Sequence, residues 1–188
     1  MHKCKPFINV LFSRIAELTI AAPKEVLTCS ASSEYNSNYQ CEGALDPNID
    51  VDWASRFATI GEWIVVSFLD GVALEVTSIR LLNRKWGWCL LYPTILIAPL
   101  LRFGSFLKFD NSFLVDADVI SELDMIFDDG TEQVIYMPND KDAYVTADVS
   151  PSKRTTSLQL VVKAVHEGTN IGFRSIEIFV SGVKNDVV

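Results

Sequence analysis

Apolar residues recur at every second position in several short segments of the chain, and this period constrains the fold more than any other feature. Successive side chains of a β-strand point to opposite faces, so a period of two indicates a half-buried strand. Residues 74–82 are a further strand candidate, rich in β-branched side chains. The apolar faces are Ile64, Val66 and Phe68 in residues 62–68; Leu123, Met125 and Phe127 in residues 122–128; Leu158, Leu160, Val162 and Ala164 in residues 157–165; and Ile176, Ile178 and Val180 near the end.

The run Phe127-Asp128-Asp129-Gly130-Thr131 lies between two of these segments and predicts a tight turn. Asp-Gly suits the positive φ angles that match the twist of a two-stranded ribbon. We therefore expect residues 123–127 and 132–137 to pair antiparallel. Many short strands without a long amphipathic helix predict an all-β sandwich or barrel.

Length, composition and net charge limit the number of domains and the classes of partner that the sequence supports. The 188 residues are 49% apolar and 21% charged, which suffices for one domain with a sizeable core. The formal net charge of −8 argues against a nucleic-acid partner, because such binding needs clustered Lys and Arg. It also argues against simple electrostatic docking on anionic lipid.

Two of the four cysteines, Cys29 and Cys41, flank the polar residues 30–40. A disulfide between them fits an oxidising compartment, and two buried thiols are the alternative. Spacing alone leaves both open. No C-x-x-C pair supports a zinc or thioredoxin-like site.

Signals for catalysis are few. The chain has only two histidines, His2 and His166, and it lacks the common nucleophile, metalloprotease and phosphate-loop motifs. A small hydrolase using two facing carboxylates is a third functional hypothesis, which no motif favours. The acidic run 46–52 begins like an EF-hand loop, but Val51 and Phe57 stand where Gly and Glu are needed. A polar turn is the simpler interpretation of that run.

Residues 85–118 differ from the rest, since they are rich in Trp, Leu, Phe and Pro, and residues 86–101 contain no charged residue. The run is short for a transmembrane helix and contains Pro93 and Pro99. The interpretations are an insertion that packs on the domain, an exposed loop for a membrane or partner, or sequence foreign to the mature domain.

Two blocks of sequence, read together, resemble the galactose-binding-like superfamily, which includes factor V/VIII type C (discoidin) domains and family 32 carbohydrate-binding modules. The first block comprises Ala31-Ser32-Ser33, Ala44-Leu45-Asp46-Pro47-Asn48, Asp52-Trp53 and Gly61-Glu62-Trp63-Ile64; the second comprises Phe127-Asp128-Asp129-Gly130-Thr131 and Thr169-Asn170-Ile171-Gly172-Phe173-Arg174-Ser175-Ile176-Glu177-Ile178-Phe179. The resemblance covers residues 26–84 and 119–180.

This resemblance implies an all-β jelly-roll sandwich with a long apolar insertion, 85–118, between two strands. We expect the domain to span residues 25–182. Residues 1–24 form an N-terminal extension with features of a degenerate signal segment, and residues 183–188 a tail. The family's ligand site lies on loops at one end of the sandwich.

Five residues at predicted strand ends or loops are candidates for ligand contact, because sugar sites pair an aromatic face with a few fixed polar groups. They are Trp53, Arg56, Arg84, His166 and Asn170. Each has a structural alternative: core packing for the tryptophan, ion pairing for the arginines, a capping or surface role for the histidine, and a turn for the asparagine.

The resemblance also implies a structural calcium ion, held by the first acidic loop and by residues near the C-terminus. Two departures weaken the set, since Val51 replaces the usual threonine and Ser175 the usual glutamate. Losing that carboxylate removes charge that calcium favours. The matching positions are Gly43, Asp46, Asn48, Val51, Arg174 and Ser175.

The sequence therefore predicts a non-catalytic carbohydrate-binding module, extracellular or secreted, whose partner is a glycan or glycoprotein. The alternative is a discoidin-type domain for cell adhesion or for membrane or protein contact, with the 86–101 apolar run as the membrane-contacting segment.

Overall fold

The computed structural model describes residues 19–48, 50–57, 60–84, 119–166 and 171–182. These residues form strands joined by turns and three short 3₁₀ helices, which are Lys24–Val26, Cys41–Leu45 and Leu69–Gly71. The strands are β1 (Thr19–Ala21), β2 (Leu27–Ala31), β3 (Trp53–Ala54), β4 (Trp63–Phe68), β5 (Leu74–Asn83), β6 (Ile120–Phe127), β7 (Glu132–Tyr136), β8 (Tyr144–Thr155), β9 (Ser157–Val165) and β10 (Gly172–Ser181).

The strands form two antiparallel sheets. In the first sheet the order is β1-β10-β5-β8, with β3 also paired to β10. In the second sheet the order is β2-β4-β9-β6-β7. Most neighbours in space are distant in sequence, as in the Greek-key connections of β-sandwiches. The prediction of an all-β sandwich is confirmed.

The core lies between the two sheets and consists of the faces that the period of two predicts. Ile64, Leu123, Met125, Leu160 and Ile178 are all buried there. Of the predicted inward set, only Ala164 is half-buried rather than buried. Alternation predicts these faces correctly because each strand buries one side against the opposite sheet.

The predicted hairpin is present between β6 and β7, where Ile126 pairs with Glu132. Gly130 has a φ of 78°, a backbone conformation that is strained for a residue with a Cβ atom. The Phe127 amide donates to the Thr131 carbonyl at 2.9 Å and closes the turn.

The first sheet begins earlier than the domain boundary predicted at residue 25. In β1, Thr19 pairs with Ser181 and Ala21 with Phe179, so these residues extend the sheet beyond β10. Residues 19–21 of the predicted N-terminal extension are therefore a strand of the first sheet. The predicted insertion at 85–118 and the tail at 183–188 lie outside the described residues. No helix in the described part of the chain has the length and apolar character needed to cross a membrane.

The strand registers place the ends of four strands at the same end of the sandwich, which we call the loop end. There β2 finishes beside the start of β4, because Ala31 pairs with Ile64. At the same end Asn83 pairs with Phe173 and Ile120 with Val165. The ends of β2, β5, β7 and β9 therefore lie at this end.

A disulfide joins Cys29 of β2 to Cys41 of the 3₁₀ helix Cys41–Leu45, with their Cα atoms 6.0 Å apart. The helix also packs against β10. It closes the side of the sandwich between the two sheets, and the disulfide fixes it there.

Candidate functional site

A buried ion pair forms the base of the loop end. Arg84 directly follows β5. Its side chain is only 3% exposed and donates from Nε to the Asp52 carboxylate. Its guanidinium carbon lies 4.7 Å from the centroid of the Tyr39 ring. A Cβ at position 172 would lie 2.0 Å from the Trp53 carbonyl oxygen, so only Gly172 lets β10 pass here.

Positively and negatively charged side chains alternate around this pair. Burial raises the pKa of the Asp52 carboxyl, while the guanidiniums of Arg84 and Arg174 oppose the rise. Arg174 in turn donates to Asp142 at 3.2 Å and to the Lys141 carbonyl at 3.4 Å. These groups bind one another and so act mainly as a rigid frame.

Above this frame lies a group of exposed side chains that we call the loop-end patch: Tyr35, Arg56, Phe57 and Ile60. Their exposed fractions include 40% for Tyr35, 55% for Phe57 and 65% for Ile60. The guanidinium of Arg56 lies 5.6 Å from the Phe57 ring centroid. Large apolar side chains at such exposure, beside a cation, are typical of a binding surface.

The patch is held by backbone contacts rather than by its own side chains. The Tyr35 amide donates to the Ala54 carbonyl at 2.8 Å, and the Arg56 amide donates to Ser33 Oγ at 3.0 Å. The Tyr35 ring also meets the Tyr39 ring edge-on at 5.9 Å. The aromatic side chains are therefore presented from a fixed base, which lowers the entropy cost of binding.

A buried carboxylate anchors the other side of the patch. Glu62 is 7% exposed and accepts hydrogen bonds from the hydroxyls of Ser32 and Ser33, the latter at 2.7 Å. The adjacent Gly61 amide donates to the Val162 carbonyl at 2.8 Å. The start of β4 is thus tied both to the end of β2 and to β9.

Trp53 requires a correction, since the structure does not place it where a ligand could reach it. The side chain is fully buried, stacks on Phe173 with ring centroids 5.9 Å apart, and donates from Nε1 to the Ser33 carbonyl at 3.1 Å. Packing between β3 and β10 gives it both apolar contact and a hydrogen-bond partner. It is a core residue, the alternative that its sequence context left open.

The other predicted ligand residues divide between frame and surface. Arg84 is buried in its ion pair and so belongs to the frame, whereas Arg56 is exposed in the patch. His166 follows β9, and its Nε2 lies 3.0 Å from the Met137 carbonyl oxygen. Asn170 lies outside the described residues.

Sequence reasoning missed Tyr35, Phe57 and Ile60 as surface groups. Phe57 and Ile60 stand in a stretch without periodic alternation, which removes the usual signal for burial. That absence, combined with aromatic and β-branched side chains, is the signal that could have identified them.

The six predicted calcium positions surround the segment after the 3₁₀ helix Cys41–Leu45. A Cβ on Gly43 would lie 2.8 Å from the Asp52 carbonyl, so glycine is needed there for close backbone packing. The Asp46 carboxylate bonds the Lys24 ammonium and also accepts the Asn48 amide at 2.9 Å. Val51 offers no side-chain oxygen.

The remaining two positions are Arg174 and Ser175. The resemblance assigns the backbone carbonyl of Arg174 to calcium, and its side chain donates to Asp142; the buried Ser175 hydroxyl lies 3.5 Å from Glu177 Oε1. Calcium takes six to eight oxygen ligands, usually with several carboxylates. Of the six positions only Asp46 supplies a carboxylate, and Lys24 already neutralises it. These residues therefore do not fit a calcium site of the expected kind.

Among the described residues, one group of three side chains has the ligand types and the spacing to hold a metal ion: Cys29, Cys41 and Glu42. Its two sulfurs are joined in the disulfide, so they are not available as thiolate ligands.

A cleft of about 680 Å³ lies against the outer face of the first sheet. The 3₁₀ helix Lys24–Val26 and the start of the acidic loop line its sides, including Lys24 and Asp46. Arg80 and Glu177 line it as well, and Arg80 Nη2 lies 2.7 Å from both Glu177 oxygens. Cations and carboxylates of the chain thus pair with each other in this cleft.

Comparison with known proteins gives strong likeness in structure only. No protein-family model and no curated protein matches the chain. The family 32 module of Clostridium perfringens NanJ in complex with galactose superposes with a TM-score of 0.60 at 15% identity, covering 86% of this chain and 99% of the module.

Two further solved structures show the same likeness. A family 32 module from Clostridium perfringens in complex with GalNAc-β-1,3-galactose has a TM-score of 0.57 at 14% identity, covering 85% of this chain and 99% of that one. Discoidin II of Dictyostelium discoideum has a TM-score of 0.58 at 11% identity, covering 87% of this chain and 60% of its own. This chain therefore has the jelly-roll fold of family 32 carbohydrate-binding modules and discoidin domains, which is the fold that the resemblance in its sequence implies.

Proposed function

We propose that this chain is a non-catalytic carbohydrate-binding module that recognises extracellular glycans through the loop-end patch. The observation that carries the proposal is the presence of exposed Phe57 and Tyr35 beside Arg56, on a rigid base at the loop end. The fold adds support, since solved modules of the same fold were crystallised with galactose and with GalNAc-β-1,3-galactose.

The chemistry of the patch suits a sugar. A pyranose has one face rich in C–H groups that packs on an aromatic ring, and hydroxyls around its rim. Phe57 offers an exposed ring without a competing polar group, and Arg56 lies next to it with guanidinium N–H donors. Ser55 Oγ, by contrast, donates to the Phe57 carbonyl at 2.6 Å and serves the loop itself.

The disulfide supports the extracellular part of the proposal. Disulfides persist in oxidising compartments and are rare in the cytosol. Cys29 and Cys41 are within bonding distance in the folded chain.

A glycan array probed with the purified full chain tests this proposal. We expect selective binding to a small set of related glycans, with apparent affinity that rises when the chain is presented multivalently. A blank array from a chain shown to be folded would contradict the proposal.

One observation favours a second function, contact with a membrane or a protein surface. Ile60, three positions after Phe57 in the sequence, is 65% exposed, and a sugar does not need an aliphatic side chain there. Co-sedimentation of the chain with neutral phosphatidylcholine vesicles would support membrane contact, and loss of that binding in Ile60→Ser would locate it. Absence of co-sedimentation would remove the membrane part of this alternative.

A further inference from the structure

We propose that the ammonium group of Lys24 takes the structural role that a calcium ion has in the family this chain resembles, so that the acidic loop 46–52 is held without a metal. The residues expected to bind calcium supply one carboxylate, that of Asp46, and this carboxylate is bonded to Lys24.

Lys24 is held in place by the backbone on both sides. The Ala22 amide donates to the Ile178 carbonyl at 2.8 Å, and the Val26 amide donates to the Pro23 carbonyl at 3.1 Å. Leu27 then enters β2, where it pairs with Phe68. The 3₁₀ helix that carries Lys24 is thus fixed to both sheets, and its ammonium group reaches Asp46 from a defined position.

The loop is built outward from the carboxylate that Lys24 holds. One oxygen of Asp46 bonds Lys24, and the other accepts the Asn48 amide at 2.9 Å. The Asn48 side chain accepts the Asp50 amide at 3.2 Å, and its carbonyl accepts the Val51 amide at 3.2 Å. A cation at Asp46 therefore stabilises the first of a series of turns that leads to Asp52.

The neighbouring acidic group is neutralised in the same way. Glu177 lies across the cleft and receives Arg80 Nη2 at 2.7 Å on both oxygens. At Asp46 itself, the carboxylate is already bonded to the Lys24 ammonium group and to the Asn48 amide. A divalent ion at this position would have to displace an ammonium group that the fold already holds.

Thermal unfolding of the full chain with calcium at about 1 mM, compared with excess EDTA, tests the first consequence. We expect the same Tm in both, and no heat of binding when calcium is titrated in. An increase in Tm with calcium, or stoichiometric calcium binding, would overturn the proposal.

Lys24→Met tests the second consequence, with Lys163→Met as the matched control. Lys163 also pairs with one carboxylate, Asp124, at 2.9 Å, but on the second sheet. We expect Lys24→Met to lower the Tm by about 1–3 °C and to speed amide hydrogen exchange at Asn48 and Val51. Lys163→Met should leave exchange at those two amides unchanged. Equal exchange in Lys24→Met and wild type, or equal acceleration in both variants, would overturn the proposal.

Discussion

The buried pair of Arg84 and Asp52 shows how single residues position the surface of this molecule. The pair lies beneath Tyr39, whose ring packs on the guanidinium, and Tyr39 meets the exposed Tyr35 edge-on. A buried ion pair adds little net stability compared with apolar packing, but removal of one partner leaves a charge without compensation. The value of this pair therefore lies in fixing the aromatic side chains of the loop end.

Replacing Arg84 with methionine should lower the free energy of unfolding by about 3 kcal/mol, because the Asp52 charge would remain buried without its partner. The double variant Arg84→Met/Asp52→Asn should lose clearly less than the sum of the single variants, since no charge is left unpaired. Urea unfolding followed by tryptophan fluorescence measures all three. Additive losses would contradict a direct coupling between the two side chains.

The hairpin of β6 and β7 shows at the scale of an element how local sequence sets local structure. Asp129 accepts hydrogen bonds from the Thr131 hydroxyl at 2.6 Å and the Thr131 amide at 2.9 Å, and it pairs with Lys153. Asp128 accepts from the Thr156 amide and hydroxyl, both at 2.7 Å, and so ties the turn to the β8–β9 connection.

These contacts make the hairpin sensitive to acid. The hydrogen bond from Thr131, assisted by Lys153, lowers the pKa of Asp129 from about 3.8 to about 2. A depressed carboxyl pKa contributes stability that is present above about pH 4 and is lost as the pH falls towards about 2. As the pH is lowered through this range, the urea midpoint of unfolding should fall less steeply for Asp129→Asn than for wild type. Identical slopes would contradict the assignment.

The disulfide also joins two elements, because it fixes the 3₁₀ helix Cys41–Leu45 to β2. The two cysteines are separated by 12 positions in sequence, and closing a loop of that size contributes about 3 kcal/mol. Reduction, or the pair Cys29→Ser/Cys41→Ser, should lower stability by that order and should lower the urea midpoint. An unchanged midpoint under reducing conditions would contradict a structural role.

In the molecule as a whole, the two sheets bring the ends of β2, β5, β7 and β9 to the loop end, where the exposed rings of Tyr35 and Phe57 lie. The chain carries a net charge of −8, yet the loop-end patch has Arg56 as its charged member. A neutral ligand with hydroxyl groups matches this combination of apolar rings and donors better than a polyanion does.

Much of this architecture could be predicted from sequence, because it depends on alternation within single strands. The inward faces of β4, β6, β9 and β10 and the β6–β7 turn follow from patterns a few residues long. The division between frame and surface at the loop end could not be predicted in this way. The burial of Trp53 depends on packing against Phe173, more than a hundred residues away, and β3 is too short to show a period.

A single glycan array probed with three chains tests whether the loop-end patch binds glycans. The three are wild type, Phe57→Ala, and Leu69→Ala, the last being an exposed apolar residue in the β4–β5 connection at the opposite end. We predict selective glycan binding by wild type and Leu69→Ala, and a loss of affinity of about tenfold or more in Phe57→Ala at an unchanged Tm, since truncating a side chain that dominates a binding surface costs about 2 kcal/mol or more. Equal glycan binding by Phe57→Ala and wild type, or no glycan binding by the folded wild-type chain, would contradict the account.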